Sequence, residues 1–350
     1  MTGDNTEHQP AQLSETLSKA FGHPHHMEIG EGVFRRLVTE GYHRELGARP
    51  MRNVISRRLR NAVAQALIDG VLVPGVKRSI VVPHGGEGFR IALPRDTALP
   101  ALPKSFPPDF GSAIRKASNL KGQLRKQVIG QETATDQLAE AIIPGELGLT
   151  PAGMPRSMVL ICGPTGTGKT KAIIEASQYL YGSDVLARID MGEFSTEVSV
   201  PRLLGENRQD CGFLGEQIEK LDKSGGHFLL LDEIEKGHPK VTDMLLGMEA
   251  ARITLANGNT IDLSKYHIFA TSNLGARDLV ETSDSMPERA RKRIIEDAAK
   301  EFFRPEILAR FSALILYKKL TSQVQRAIGE QMMVQELGFL SSMLGNRLAA

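Results

Sequence analysis

Apolar and polar residues follow two rhythms along this chain, and the change of rhythm divides it. From about residue 119 to 320, short continuous apolar runs are separated by stretches with an apolar residue every three or four positions. The runs Met158 to Cys162, Ala187 to Asp190, His227 to Leu231 and His267 to Thr271 are unbroken enough to be strands buried on both faces. With helical stretches between them, they predict an α/β fold, a parallel sheet sandwiched by helices. Residues 13 to 93 instead predict a small α-rich domain. It comprises a short helix from Leu13 to Phe21, a helix containing Val33, Phe34, Leu37 and Val38, and a longer one from Arg49 to Ile68. In the last of these Met51, Val54, Ile55, Leu59, Val63, Ala66 and Leu67 trace one stripe, and Arg52, Arg57, Arg58 and Arg60 face away from it. Asp69-Gly70 ends the helix, and Ser79 to Val82 and Gly88 to Leu93 read as a hairpin around Gly85-Gly86.

Residues 1–12 read as a disordered tail, and 94–118 as a proline-rich linker, extended where Pro94, Pro100, Pro103, Pro107 and Pro108 cluster. After Leu320 one amphipathic helix, Ser322 to about Leu337, precedes a short tail, so 321–350 read as the C-terminal helix of a truncated small domain.

Composition narrows the function classes. With 43 basic and 41 acidic residues the net charge is +2, which gives no global field for nucleic acid or an anionic membrane. No Trp and 5% aromatics argue against a stacking platform for single strands. No apolar run approaches the roughly 20 residues that span a bilayer, and the N-terminus is polar. Two cysteines, Cys162 and Cys211, make no disulfide framework, so a cytoplasmic location is expected. His23, His25 and His26 share a loop without metal-ligand spacing.

The chemistry concentrates downstream of the first predicted strand. Gly163-Pro164-Thr165-Gly166-Thr167-Gly168-Lys169-Thr170 follows it directly and opens a helical stretch, the context of a phosphate-binding P-loop. Its glycines let consecutive N–H groups point at phosphate oxygens, Lys169 reaches the β and γ phosphates, and the Thr170 hydroxyl ligates Mg²⁺. The strand ending in Asp232-Glu233 supplies a Walker B pair. Asp232 holds Mg²⁺ through its waters and Glu233 polarises the attacking water. The next strand ends in Asn273, where an amide reaches the γ phosphate or that water.

These motifs, with Val128-Ile129-Gly130-Gln131, Arg188-Ile189-Asp190-Met191, His238-Pro239, Thr271 to Gly275 and Phe303 to Arg310, resemble the AAA+ superfamily. The resemblance is specifically to the second ATPase module of Clp-type unfoldases and disaggregases. It implies that Val128 and Ile129 contact adenine, that Asn273 is sensor 1, and that Arg310 is an arginine finger offered to a neighbour's nucleotide, with Arg304 a weaker candidate. It also implies MgATP hydrolysis in a homo-oligomeric ring, most simply a hexamer, acting on a protein substrate as a remodeller or unfoldase. The alternative is a nucleotide-switched assembly or scaffold that does not thread substrate.

Two departures stand out. Gly41-Tyr42, Gly47-Ala48-Arg49-Pro50-Met51-Arg52 and Leu72 to Gly75 resemble the family's small domain, whose Gly-Ala-Arg arginine is sensor 2, but they precede the ATPase domain. The expectation is a circularly permuted module with Arg49 as sensor 2, in its own chain or at a chain junction. Moreover, Leu204 to Leu214 is short and polar where the family carries a pore loop with an aromatic, and Phe213 reads as a core anchor. Leu337-Gly338-Phe339-Leu340 resembles a protease-docking loop only superficially.

Overall fold

Runs such as Phe228-Leu229-Leu230-Leu231 leave no polar face for water, so the strands they form lie inside a covered sheet. The structure is a computed structural model that describes residues 27–29, 33, 36–37, 49–70, 78–81, 89–92, 108–183, 185–281 and 286–348. The expected tail, the helix at Leu13 to Phe21, the histidine loop and the extended part of the linker lie outside the described residues.

The N-terminal module contains β1 (Met27–Ile29), α1 (Arg49–Ile68), β2 (Arg78–Val81) and β3 (Arg90–Ala92). β2 and β3 form the expected antiparallel pair, and β1 adds a parallel partner to β2. Next come α2 (Pro108–Gln127), α3 (Glu132–Glu146), β4 (Ser157–Cys162) and α4 (Lys169–Tyr181). β5 (Leu186–Asp190), α5 (Val200–Leu204), α6 (Gly212–Ser224), β6 (Phe228–Asp232) and α7 (Pro239–Glu249) follow. The chain continues through the hairpin β7 (Arg252–Thr254) and β8 (Thr260–Asp262) to β9 (His267–Ser272), α8 (Ala276–Glu281), α9 (Glu288–Phe302) and α10 (Pro305–Leu308). β10 (Ala313–Leu316) and α11 (Ser322–Leu348) complete it.

Five strands form one parallel sheet in the order β10-β4-β9-β6-β5. Alternate residues of β4 feed two cores: Val159 and Ile161 join one, and Met158, Leu160 and Cys162 join the other. That alternation is the pleat of a strand covered on both sides.

Two expectations need correction, and two further features complete the picture. The linker does not run to residue 118, because α2 begins at Pro108; proline's fixed φ and missing N–H suit a first helical turn, where that N–H has no partner. β10 was not expected, since four apolar residues carry no periodicity of their own. The C-terminal helix extends past Leu337 to Leu348. Leu337 to Leu340 lies inside this helix, in keeping with the superficial nature of its likeness to a docking loop.

α1 packs its apolar stripe onto α2 and α3. Leu59, Ala62, Val63 and Ala66 share a core with Ala117, Leu120 and Leu124, and Arg57 Nη1 donates to the Ser312 carbonyl at 3.2 Å. The module thus sits against the start of β10, at the N-terminal ends of the parallel strands.

At that same end lies a buried polar cluster. Ser157 Oγ is 2.8 Å from His267 Nδ1, and His267 Nε2 is 3.0 Å from Glu146 Oε1, which also accepts from Arg156 Nη1 at 2.7 Å and from the Tyr181 hydroxyl. One neutral tautomer of His267, protonated on Nε2, satisfies both of its contacts. Burial by itself would raise the Glu146 pKa. The hydrogen bonds from His267 and Tyr181 and the Arg156 charge outweigh it and hold the carboxyl at about 2. A folded pKa below the unfolded value of about 4.3 means stability that is present above that pH and lost as pH falls through 2. We therefore expect Glu146→Gln to destabilise the protein at pH 7 by on the order of 3 kcal/mol and to flatten the acid loss between about pH 4.5 and 2. Urea midpoints measured across pH check both.

Candidate functional site

Because β4, β9 and β6 are adjacent and parallel, the three motifs that follow their C-terminal ends meet at one end of the sheet. β4 delivers residues 163–170, β6 delivers Asp232 and Glu233, and β9 delivers Asn273.

Gly163, Gly166 and Gly168 take φ of 150°, 77° and 97°. At Gly163 a Cβ would sit 2.4 Å from the Tyr317 carbonyl oxygen, so only glycine lets the loop pass β10. Gly168 caps α4, whose first-turn N–H groups have no helical acceptors and face the loop. Pro164 and Thr167 are buried, and Thr165 is exposed with its hydroxyl donating to Asn273 Oδ1 at 3.2 Å. Lys169 is buried and donates to the carbonyls of Gly163 at 2.7 Å and Pro164 at 2.9 Å and to Asn273 Oδ1 at 2.9 Å. Burial lowers its pKa, and Glu235 is foremost among the carboxylates that oppose this.

Asp232 is buried and accepts from the Thr170 hydroxyl at 3.2 and 3.4 Å, from Arg188 Nη2 at 2.6 Å and from the Thr271 hydroxyl. Glu233 holds a left-handed backbone, φ 55° and ψ 52°, which a non-glycine residue adopts only under constraint. The constraint is visible: its N–H donates to Thr271 Oγ1 at 3.0 Å, its Oε1 accepts from Asn273 Nδ2 at 3.2 Å, and its Oε2 meets Lys236 Nζ at 2.5 Å. Glu235 Oε1 receives both Asn273 N and Nδ2 at 3.0 Å, which orients the amide so that Oδ1 faces Lys169.

Val128 is buried with Cγ1 3.1 Å from where a Gly168 Cβ would stand, and Ile129 is half-buried beside it. Gln131 ties this segment down, donating to the carbonyls of Thr167 at 3.4 Å and Lys318 at 2.7 Å.

The two arginine candidates lie elsewhere. Arg310 is paired with Glu249 at the end of α7 and just precedes β10, whose Ala313 pairs with Val159. It therefore lies at the N-terminal end of the strands, separated from Gly163 by most of the length of β4, on the order of 15–20 Å. Arg304 is an exposed ion pair with Asp243 and Glu306. Arg49 is the first residue of α1, and its side chain is outside the described residues.

Thr271, Arg188, Glu235 and Lys236 were not singled out as site residues in the sequence. The spacing Asp-Glu-Ile-Glu-Lys after a strand was the available signal for Glu235 and Lys236, but only the sheet shows that Thr271 bridges Asp232 and Glu233.

A profile for the AAA domain (Cdc48 subfamily) matches residues 154–314, and one for the C-terminal, D2-small domain of ClpB protein matches residues 7–80. The chain is therefore similar, in these two stretches, to Clp-type AAA+ proteins. Chaperone protein ClpB of Aquifex aeolicus is 35% identical over 220 residues, 59% of this chain and 22% of the relative. Heat shock protein 104 of Schizosaccharomyces pombe is 34% identical over 273 residues, 76% of this chain and 29% of the relative. Among solved structures, Hsp104 with ATPyS and FITC casein superposes with a TM-score of 0.58 at 30% identity, over 65% of this chain and 39% of that one. The S. cerevisiae Hsp104-ADP complex gives 0.57 at 30% identity, over 65% and 40%. The chain spans about a quarter of the length of the curated relatives it matches. In this chain the small-domain match precedes the AAA match, as the Gly-Ala-Arg motif at residues 47–49 leads one to expect.

The geometry yields a direct expectation. Gly163→Ala meets both the Tyr317 carbonyl and an unfavourable φ, and should cost about 2 kcal/mol or more of stability and weaken nucleotide binding at least tenfold. Thermal melts and titration with a fluorescent ATP analogue check this.

Proposed function

We propose that this chain binds MgATP at residues 163–170 and hydrolyses it within a ring of identical copies, most simply a hexamer. The work done would be cytoplasmic protein remodelling. The observation that carries this is positional: Lys169, Asp232, Glu233 and Asn273 converge at one end of the sheet while Arg310 stands at the other. A single copy therefore offers a P-loop without an arginine finger and an arginine finger without a P-loop.

Magnesium, when bound, neutralises phosphate charge, and the adjoining oxygen donors of Thr170 and Asp232 suit a hard cation. Lys169, buried and aimed along the loop, fixes the β and γ phosphates, and Val128 and Ile129 line the adenine side. Glu233, oriented by Asn273 and Lys236, takes the proton from the attacking water. Arg310, once released from Glu249, stabilises charge on a neighbouring copy's γ phosphate.

A second reading, a nucleotide-switched scaffold, draws on the loop between α5 and α6. Glu206, Asn207, Arg208 and Gln209 are exposed and polar, and Asp210 closes the loop by accepting from the N–H groups of Glu206 at 2.9 Å and Gly212 at 2.7 Å. Phe213 packs against Phe194 at 5.9 Å between ring centroids instead of entering the loop. ATP-dependent unfolding of a tagged substrate favours remodelling; turnover without unfolding favours the scaffold.

Glu233→Gln should keep nucleotide binding and reduce turnover by ~10²-fold or more. Arg310→Ala should also be inactive alone. Mixed one to one, the two inactive variants should regain about a quarter of wild-type turnover, because random assembly pairs an intact Glu233 with an intact Arg310 at about one junction in four. A mixture as dead as its parts would remove the trans assignment.

A further inference from the structure

The run Arg57-Arg58-Leu59-Arg60 on α1 takes no part in the site described above, and the fold does not leave all of it in solvent. Arg57, Arg60 and Asn61 lie at spacings of three and four, on one face of the helix. That face borders a cleft of about 610 Å³, its open mouth included. The facing wall is α3 at Glu140 and the segment Arg156-Ser157 that leads into β4, so the cleft lies at the opposite end of the sheet from the P-loop. Its size suits a small ligand.

The lining is electropositive. Arg57, Arg60, Arg156 and Arg310 stand against the carboxylates of Glu140 and Glu249, four charges against two and so +2 by difference. Both carboxylates are already engaged, Glu140 by Lys121 at 2.8 Å and Glu249 by Arg310, and Arg156 is held by Glu146 at 2.7 Å. Arg60 has a different setting. Its Nε donates to the Ser56 carbonyl at 3.1 Å and its Nη2 to Ser56 Oγ at 2.6 Å, both neutral acceptors one turn back on the same helix. Among the described residues no carboxylate pairs with it and none accepts from its Nη1. Burial pulls its pKa down to about 10, with no neighbouring negative charge to oppose the loss of water. A guanidinium so placed weighs against stability unless an anion joins it. Beside it, Asn61 Oδ1 is buried and accepts no hydrogen bond, so the same wall also lacks a donor.

We propose that this cleft binds a phosphate group, as hydrogen phosphate itself or as a phosphate monoester, held by the Arg60 fork. Phosphate oxygens accept in pairs from a planar guanidinium, and a protonated phosphate oxygen supplies the donor that Asn61 lacks. Because the site is built from α1 on one side and from α3 and the start of β4 on the other, its occupant bridges the N-terminal module and the ATPase domain. A ligand that binds only the packed form stabilises that packing in proportion to its concentration. The site is separate from the P-loop, and the inference does not depend on ring assembly.

The test uses the full chain carrying Lys169→Ala, which weakens capture of phosphate at the P-loop. Inorganic phosphate and, separately, phosphoserine are titrated into it by calorimetry at constant ionic strength in chloride. Binding of the inorganic ion identifies free phosphate as a sufficient ligand; binding of phosphoserine alone identifies a monoester. In either case Arg60→Gln in the same background should weaken the affinity at least tenfold. Arg60→Lys, which keeps the charge and loses the planar fork, should fall between the two and decides the matter if Arg60→Gln does not fold. The ligand that binds should also raise the melting temperature of the parent chain and not that of the Arg60→Gln chain. No binding of either probe, or binding that both Arg60 variants leave at the parent affinity, overturns the proposal.

Discussion

One buried carboxylate holds the nucleotide end of this protein together. Asp232 sits at the end of a strand with no polar residue before it, and a lone carboxylate there would be costly to bury. Thr170 from the P-loop helix, Thr271 from the neighbouring strand and Arg188 from the other neighbour all bond to it. The same Thr271 then fixes the left-handed Glu233 backbone, and Asn273, one strand over, fixes the Glu233 side chain. Adjacent strand ends thus restrain one another, and the proposed water-activating carboxylate is positioned before any ligand arrives.

A parallel sheet has two chemically distinct ends, and this chain uses both. The C-terminal ends gather residues 163–170, Asp232, Glu233 and Asn273. The N-terminal ends gather Arg310, the buried cluster of Glu146, His267 and Ser157, and the seat of the N-terminal module. Arg310 thus stands at the far end of the sheet from its own P-loop. The shared core of Leu59, Val63, Ala66 and Leu120 further makes the module and the ATPase domain a single packed body.

The ATPase motifs were legible because each is local: a strand, a tight turn and a helix written in consecutive residues. The same locality made α1, the β2–β3 pair and four of the five sheet strands readable. β10 and the β7–β8 hairpin were not, because runs of three or four residues become strands only when a partner supplies the ladder hydrogen bonds. The start of α2 at Pro108 was hidden by proline's dual use in linkers and in first helical turns.

The sequence by itself determined the chemistry: which residues form the P-loop, which carboxylates follow the strand, and that a Gly-Ala-Arg motif lies upstream of them. Only the tertiary structure decided who meets whom. Strand order β10-β4-β9-β6-β5 sets Asn273 between the P-loop and the Walker B pair, makes Thr271 and Glu235 part of the site, and sends Arg310 to the far end. Order in sequence constrains only near neighbours, whereas the ladder pairings that bring residues a hundred positions apart into contact arise when the sheet is assembled.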